Sequence, residues 1–171
     1  MNSCKNQFVN IIEEHQGIIN NLCCLYYNNT EDQHDTRQDI ILQLWKSFPS
    51  FRAESKISTW IYKVSLNTIL SKIKKEKRQL NNTSLDMNTK NENRFKKQAN
   101  ISFDDDIQLL QQIIVTLKEQ DKAIIILFLE GYRNKEIAKM LHLTSTNVST
   151  KMNRIKKVLK EKFNQLDYGI G

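Results

Sequence analysis

Apolar residues recur along this chain at helical steps of three and four, from near its start to near its end. Phe8, Ile11, Ile12, His15, Ile18, Ile19 and Leu22 share one face, which predicts a first long helix ending at Asn28 and Asn29. Thr30 with Gln33 offers a capping box for a second helix. Its apolar side is Ile40, Ile41, Leu44, Trp45 and Phe48, and Pro49 closes it. Phe51 to Ser55 reads as a short polar loop. A third helix carries Ile57, Trp60, Ile61, Val64, Leu66 and Ile69, and runs out through a basic stretch to Arg78.

The pattern then lapses. Residues 79–104 are rich in asparagine and charge and poor in apolar side chains, the composition of a flexible linker. Helical periodicity resumes with Ile107, Leu110, Ile114 and Leu117, followed by the dense run Ala123 to Leu129, which Gly131 is expected to cap. Ile137, Ala138 and Leu141 mark a short helix, and His142-Leu143 interrupts it. Thr144 is placed to cap a last helix through the amide of Asn147. In that helix Val148, Met152, Ile155 and Leu159 form an apolar stripe, opposite Ser145, Thr146, Ser149, Thr150, Lys151, Asn153 and Arg154. Two helices around a tight turn, the second polar and cationic outside, make a helix-turn-helix, whose second helix reads base edges in the major groove. An amphipathic hairpin with a solvated face would show the same stripe. The expected fold is all-α: two small helical domains, 1–78 and 105–171, joined by a flexible linker over 79–104.

Composition supports this and narrows the partners. With 4 Gly and 1 Pro in 171 residues, a turn-rich β fold is disfavoured. The net charge of +7 suits a polyanion, and the cations concentrate in Lys72 to Arg78 and Lys151 to Lys162. Cys4, Cys23 and Cys24 are odd in number and lack metal-ligand spacing, so neither zinc nor a structural disulfide is expected. Cys23 and Cys24 lie in an apolar stretch, where a thiol behaves as a small hydrophobe. No apolar run reaches the roughly 18 residues of a membrane span, and the N-terminus is too polar for a secretory signal. A cytoplasmic protein without membrane insertion is expected. Asp104, Asp105 and Asp106 could suggest metal-dependent nuclease chemistry, but carboxylates at a helix start are favoured by the dipole alone. No His or Glu stands at convincing spacing. Neither catalysis, nor a cofactor, nor a small-molecule substrate is expected.

A stand-alone helix-turn-helix regulator would explain residues 107–166 equally well. It leaves the first block unexplained. There Asp35, Gln38 and Asp39 precede a hydrophobic run to Trp45, then come Phe51, the segment Ser58-Thr-Trp60-Ile-Tyr-Lys63-Val64, Asn67 and the basic run. This series resembles the bacterial sigma-70 family, in its short extracytoplasmic-function (ECF) type. Gly131, Glu136, Ile137, Ala138, Leu141, Val148 and Arg154 resemble the same family's promoter-distal domain. Departures are His34, Thr36, Leu66, Ser71, Arg133 at the usual cap (so that Asn134 would cap instead), and His142 at the usual turn glycine. Lysine also replaces arginine in the basic run, which keeps charge and loses bidentate geometry.

The resemblance implies a dissociable initiation subunit of bacterial RNA polymerase. Its first block would be region 2-like and its last region 4-like. Asp35, Gln38, Asp39, Leu42 and Trp45 would dock on the clamp helices of the largest core subunit, and the last domain would also meet the β flap. Phe51, Ser55, Lys56, Ser58, Trp60, Lys63, Asn67, Lys74, Lys75 and Arg78 would hold the promoter −10 element, Trp60 being as readily core. Thr144, Ser145, Thr146, Ser149, Thr150, Lys151, Asn153 and Arg154 would face the −35 element. The sequence has no N-terminal acidic inhibitory extension, so control by a separate anti-sigma protein is implied. A linker of about 26 residues extends to at most about 85–95 Å, against roughly two duplex turns of ~34 Å between the family's promoter elements.

Overall fold

The computed structural model describes residues 2–83 and 105–167, and it divides into two compact units, Met1–Lys90 and Asn91–Gly171. All the regular elements among the described residues are helices. Most of the expected linker, 84–104, and Asp104 lie outside the described residues, as do the side chains of Asp105 and Asp106.

The first unit is a three-helix packing of α1 (Asn2–Tyr26), α2 (Thr30–Ser47) and α3 (Ile57–Thr83), each touching the other two. Phe8, Ile11, Ile19, Leu22 and Cys23 of α1 meet Ile40 and Leu44 of α2 and Ile61, Leu66 and Ile69 of α3 in its core. Each such side chain taken from water contributes about 1.5–3 kcal/mol. The expected cap at Thr30 is corrected to Asn29. Its extended backbone lets its side-chain oxygen accept from the Asp32 amide at 2.6 Å, while Gln33 turns away to donate to the Tyr27 carbonyl. Pro49 sits in a 3-10 turn, Phe48–Ser50, where a missing amide is tolerated. α3 does not stop at Arg78; it continues through residues 79–83, so the first part of the expected linker is helix.

The second unit packs α4 (Asp105–Val115), α5 (Glu119–Leu129), α6 (Asn134–Leu141) and α7 (Ser145–Asp167). α7 touches the other three, through Val148, Met152 and Ile155. α4 buries Ile113 and Ile114, whereas Ile107, expected on its apolar face, is exposed. α5 ends in a full C-terminal lock. Gly131, at φ 89°, donates to Phe128, and Tyr132 donates to Leu127, the paired bonds that satisfy a helix's last carbonyls. The cap expected at Asn134 lies one residue earlier. Arg133 has the extended cap backbone, and its amide donates to the Glu136 carboxylate at 2.7 Å. Thr144 caps α7 as expected, accepting from Asn147 at 3.1 Å. His142 makes the turn between α6 and α7 with a left-handed φ of 55°.

Candidate nucleic-acid and partner interfaces

On α2 the buried stripe leaves the other side free to present Asp35, Gln38, Leu42 and Trp45, all exposed. Leu42 is 49 % exposed and Trp45 43 %, large values for such side chains in a small helical unit. Trp45 is anchored at one edge, its ring 5.0 Å from Phe8. Asp39 is held at 2.9 Å by Lys72 from α3. Burial alone would lower the Lys72 ammonium, but the hydrogen bond and charge of Asp39 outweigh it and hold the group above its ordinary value. Lys72 thereby joins the start of the basic run to this helix.

Beyond Trp45 the rings continue. Phe8 lies 5.3 Å from Phe48, Phe48 lies 6.1 Å from Trp60, and Trp60 lies 5.0 Å from Phe51. Trp60 is buried and Phe51 half-buried. Of the two roles the sequence left open to Trp60, core or nucleic-acid contact, its burial fits the first, and the indole supports Phe51 from beneath. Sequence reading missed Phe8 and Phe48 as the supports of this series, although both are aromatic positions on helical faces. Beside Phe48 and Phe51 lies an open depression of about 530 Å³, lined also by Ser55, Lys56 and Ile57, with Gln7 and Ile11 of α1. Ser55 and Lys56 are brought together here. Ser58 is half-buried in the first turn of α3. Along α3, Lys63, Asn67, Lys74 and Arg78 follow each other at steps of four, seven and four, so they share a face about 22 Å long. Lys75 stands beside it, and all four cations are exposed. Asn67 donates its side-chain amide to the Lys63 carbonyl at 2.7 Å.

On α7 the expected polar set divides into three. Thr146, Thr150 and Asn153 are exposed, at steps of four and three opposite the buried stripe. Lys157 continues that face, a residue sequence reading did not single out. Ser149 lies on one flank, its hydroxyl accepting from Asn134 of α6 at 3.0 Å, and Ser145 is half-buried near it. Thr144 spends its hydroxyl on the cap. Lys151 and Arg154 lie on the other flank and reach α5, where Asp121 accepts from Lys151 at 3.2 Å and from Arg154 at 2.5 Å. Asp121 was also missed. In sequence it is one more acid in a helix's first turn, and its partners lie 30 and 33 residues away.

Among the described residues no three His, Cys, Asp or Glu side chains converge as a metal site, and Cys4, Cys23 and Cys24 are free thiols. Cys23 is buried in α1 as expected, but Cys24 is exposed, because adjacent residues of a helix point in directions about 100° apart. No described helix is long and apolar enough to cross a membrane.

Comparison with known proteins bears on both units. The family model for Sigma-70 region 2 matches residues 11–79, and that for Sigma-70, region 4 matches residues 107–159. The chain is 21 % identical to the ECF RNA polymerase sigma factor SigW of Bacillus subtilis, over 95 % of this chain and 91 % of that one. It is 24 % identical to the RNA polymerase sigma factor SigS of Staphylococcus aureus, over 92 % and 99 %. Its fold resembles the sigma factor RpoE of Bartonella quintana, solved in complex with the anti-sigma factor NepR. That match has a TM-score of 0.65 at 15 % identity, over 96 % of this chain and 98 % of that one. CnrH, solved with the cytosolic domain of CnrY, aligns at a TM-score of 0.61 and 14 % identity, over 94 % and 90 %. A stand-alone helix-turn-helix regulator is excluded, because the first unit carries the region 2 match and stands in one chain with region 4. The chain belongs to the sigma-70 family, as a sigma factor of the ECF type.

Proposed function

We propose that this chain joins RNA polymerase core in the cytoplasm and takes it to promoters by gripping DNA at two places, catalysing no reaction of its own. One observation carries the reading. The chain that exposes Leu42 and Trp45 on a region 2 helix also exposes Thr146, Thr150 and Asn153 on the second helix of a region 4 helix-turn-helix. On α2, Leu42 and Trp45 form an apolar centre, and Asp35, Gln38 and Asp39 form a polar rim. That composition suits docking on the clamp helices of the largest core subunit. The β flap is the counterpart for the second unit, and an anti-sigma protein is the partner that competes for these surfaces.

At the −10 element, melting requires an unstacked base to find a new environment. The depression beside Ser55 and Lys56, walled by Phe48 and Phe51 with Trp60 packed behind Phe51, offers polar groups beside aromatic rings. Lys63, Lys74, Lys75 and Arg78 then follow phosphates along α3, contributing affinity more than sequence choice. At the −35 element Thr146, Thr150 and Asn153 face the base edges. Asn153 can make a bidentate contact to adenine, worth about 1–3 kcal/mol of discrimination. Run-off transcription with core polymerase and promoter fragments tests the whole reading: addition of the chain gives discrete starts. Asn153→Ala changes the preferred −35 sequence while −10 opening, followed by permanganate reactivity, persists. Failure to bind core or to select starts would overturn it.

A further inference from the structure

We propose that Asp121 is a positioning residue for −35 recognition. It withholds Lys151 from the phosphate backbone and fixes the guanidinium of Arg154 beside the reading face of α7. The proposal rests on the sigma reading above and adds a residue that touches no DNA.

The geometry points that way in three steps. Asp121 is nearly inaccessible, its side chain 7 % exposed, and a carboxylate taken out of water is costly unless paired. The two cations that pair it come from one helix, three residues apart, so they lie on neighbouring turns of α7. Each takes a different oxygen: Lys151 takes Oδ1 and Arg154 takes Oδ2. The two cations are then unequal in what remains to them. Lys151, 21 % exposed, has its charge turned inward. Arg154 has a side chain 54 % exposed, with one guanidinium nitrogen tethered to Asp121. A guanidinium has five donors in a rigid fork, so a bond at one end aims the others. A flexible lysine on the same flank would otherwise take any phosphate in reach, stabilising matched and mismatched DNA alike. Asp121 therefore favours the seating in which Thr146, Thr150 and Asn153 meet the bases.

Salt dependence reads this directly, because each phosphate contact contributes about 0.9 to the slope of log binding constant against log salt. The experiment uses holoenzyme assembled from core polymerase and the full chain. Its binding to a promoter and to the same fragment with a shuffled −35 element is measured over a potassium chloride series. Asp121→Asn steepens the slope by about one and lowers matched-over-shuffled discrimination roughly five- to tenfold. Asp121→Glu, which retains the carboxylate, restores both. On a Lys151→Gln background Asp121→Asn no longer steepens the slope. A folded Asp121→Asn chain with unchanged slope and discrimination overturns the proposal. If Asp121→Asn does not fold, Lys151→Gln alone decides. A slope flatter by about one places Lys151 on a phosphate and overturns the proposal, and an unchanged slope supports it. A wild-type holoenzyme that shows no discrimination overturns the sigma reading instead.

Discussion

Lys122 is buried beside Asp121 in α5, and burial pushes its ammonium down to about 8, with Glu119 pulling the other way. In the unfolded chain the lysine keeps its proton up to its ordinary value of 10.5. Between those two values the unfolded state binds more protons, so stability rises with pH; below 8 the burial penalty stands in full. Lys122→Met is therefore expected to stabilise the second unit at pH 7, by up to about 3 kcal/mol. The advantage should shrink as pH approaches 10.5, which thermal unfolding followed by circular dichroism at pH 7 and 10 would register. An advantage that does not vary with pH would come from packing rather than charge. At this scale the sequence was legible for apolar positions and poorly so for buried charges. Ile19 or Val148 needs only its own periodicity to be assigned to the core. Asp121 and Lys122 are core only because α7 and its neighbours close over them, and no local pattern encodes that.

Elements were more legible than their ends. Every described helix coincides with an apolar stripe read from the chain, yet two N-caps fell one residue from their expected places. Asn29 and Thr30 are both good caps in type, as Asn134 would be beside Arg133. Which residue leaves the helical backbone first decides the matter, and that follows from how the preceding chain packs. The two left-handed positions of the second unit test the same physics. A Cβ at Gly131 would meet nothing within 4 Å, so Gly131→Ala is penalised by backbone conformation alone. It should lower stability by about 1–2 kcal/mol. His142 is exposed at φ 55°, and His142→Gly should raise stability by about 0.5–1 kcal/mol. Urea unfolding at unchanged m-value checks both, and effects of the opposite sign would show that side-chain contacts outweigh the turn.

For the whole molecule, the extent of α3 sets the reach between the two units. Between Thr83 and Asp105 stand the 21 residues 84–104, which can extend to at most about 70–75 Å. Two duplex turns are about 68 Å, so little slack remains once α3 is counted as helix. Deleting residues 86–97 caps that reach at about 30–35 Å. The shortened chain should still bind core and open −10 DNA, but its transcription should no longer depend on the −35 sequence. Undiminished −35 dependence would mean that the promoter elements are bridged over a shorter path. α3 also imposes a constraint of a different kind. From the loop beside the depression to Thr83 it is one uninterrupted helix, so the bearing of Lys74 and Arg78 is a matter of phase. One residue gained or lost upstream swings both by about 100°, whereas seven return them nearly to their bearing and displace them by about 10 Å. The basic stripe is thus geared to the loop beside the depression, and a length change between them keeps that bearing only when it is close to a whole number of turns.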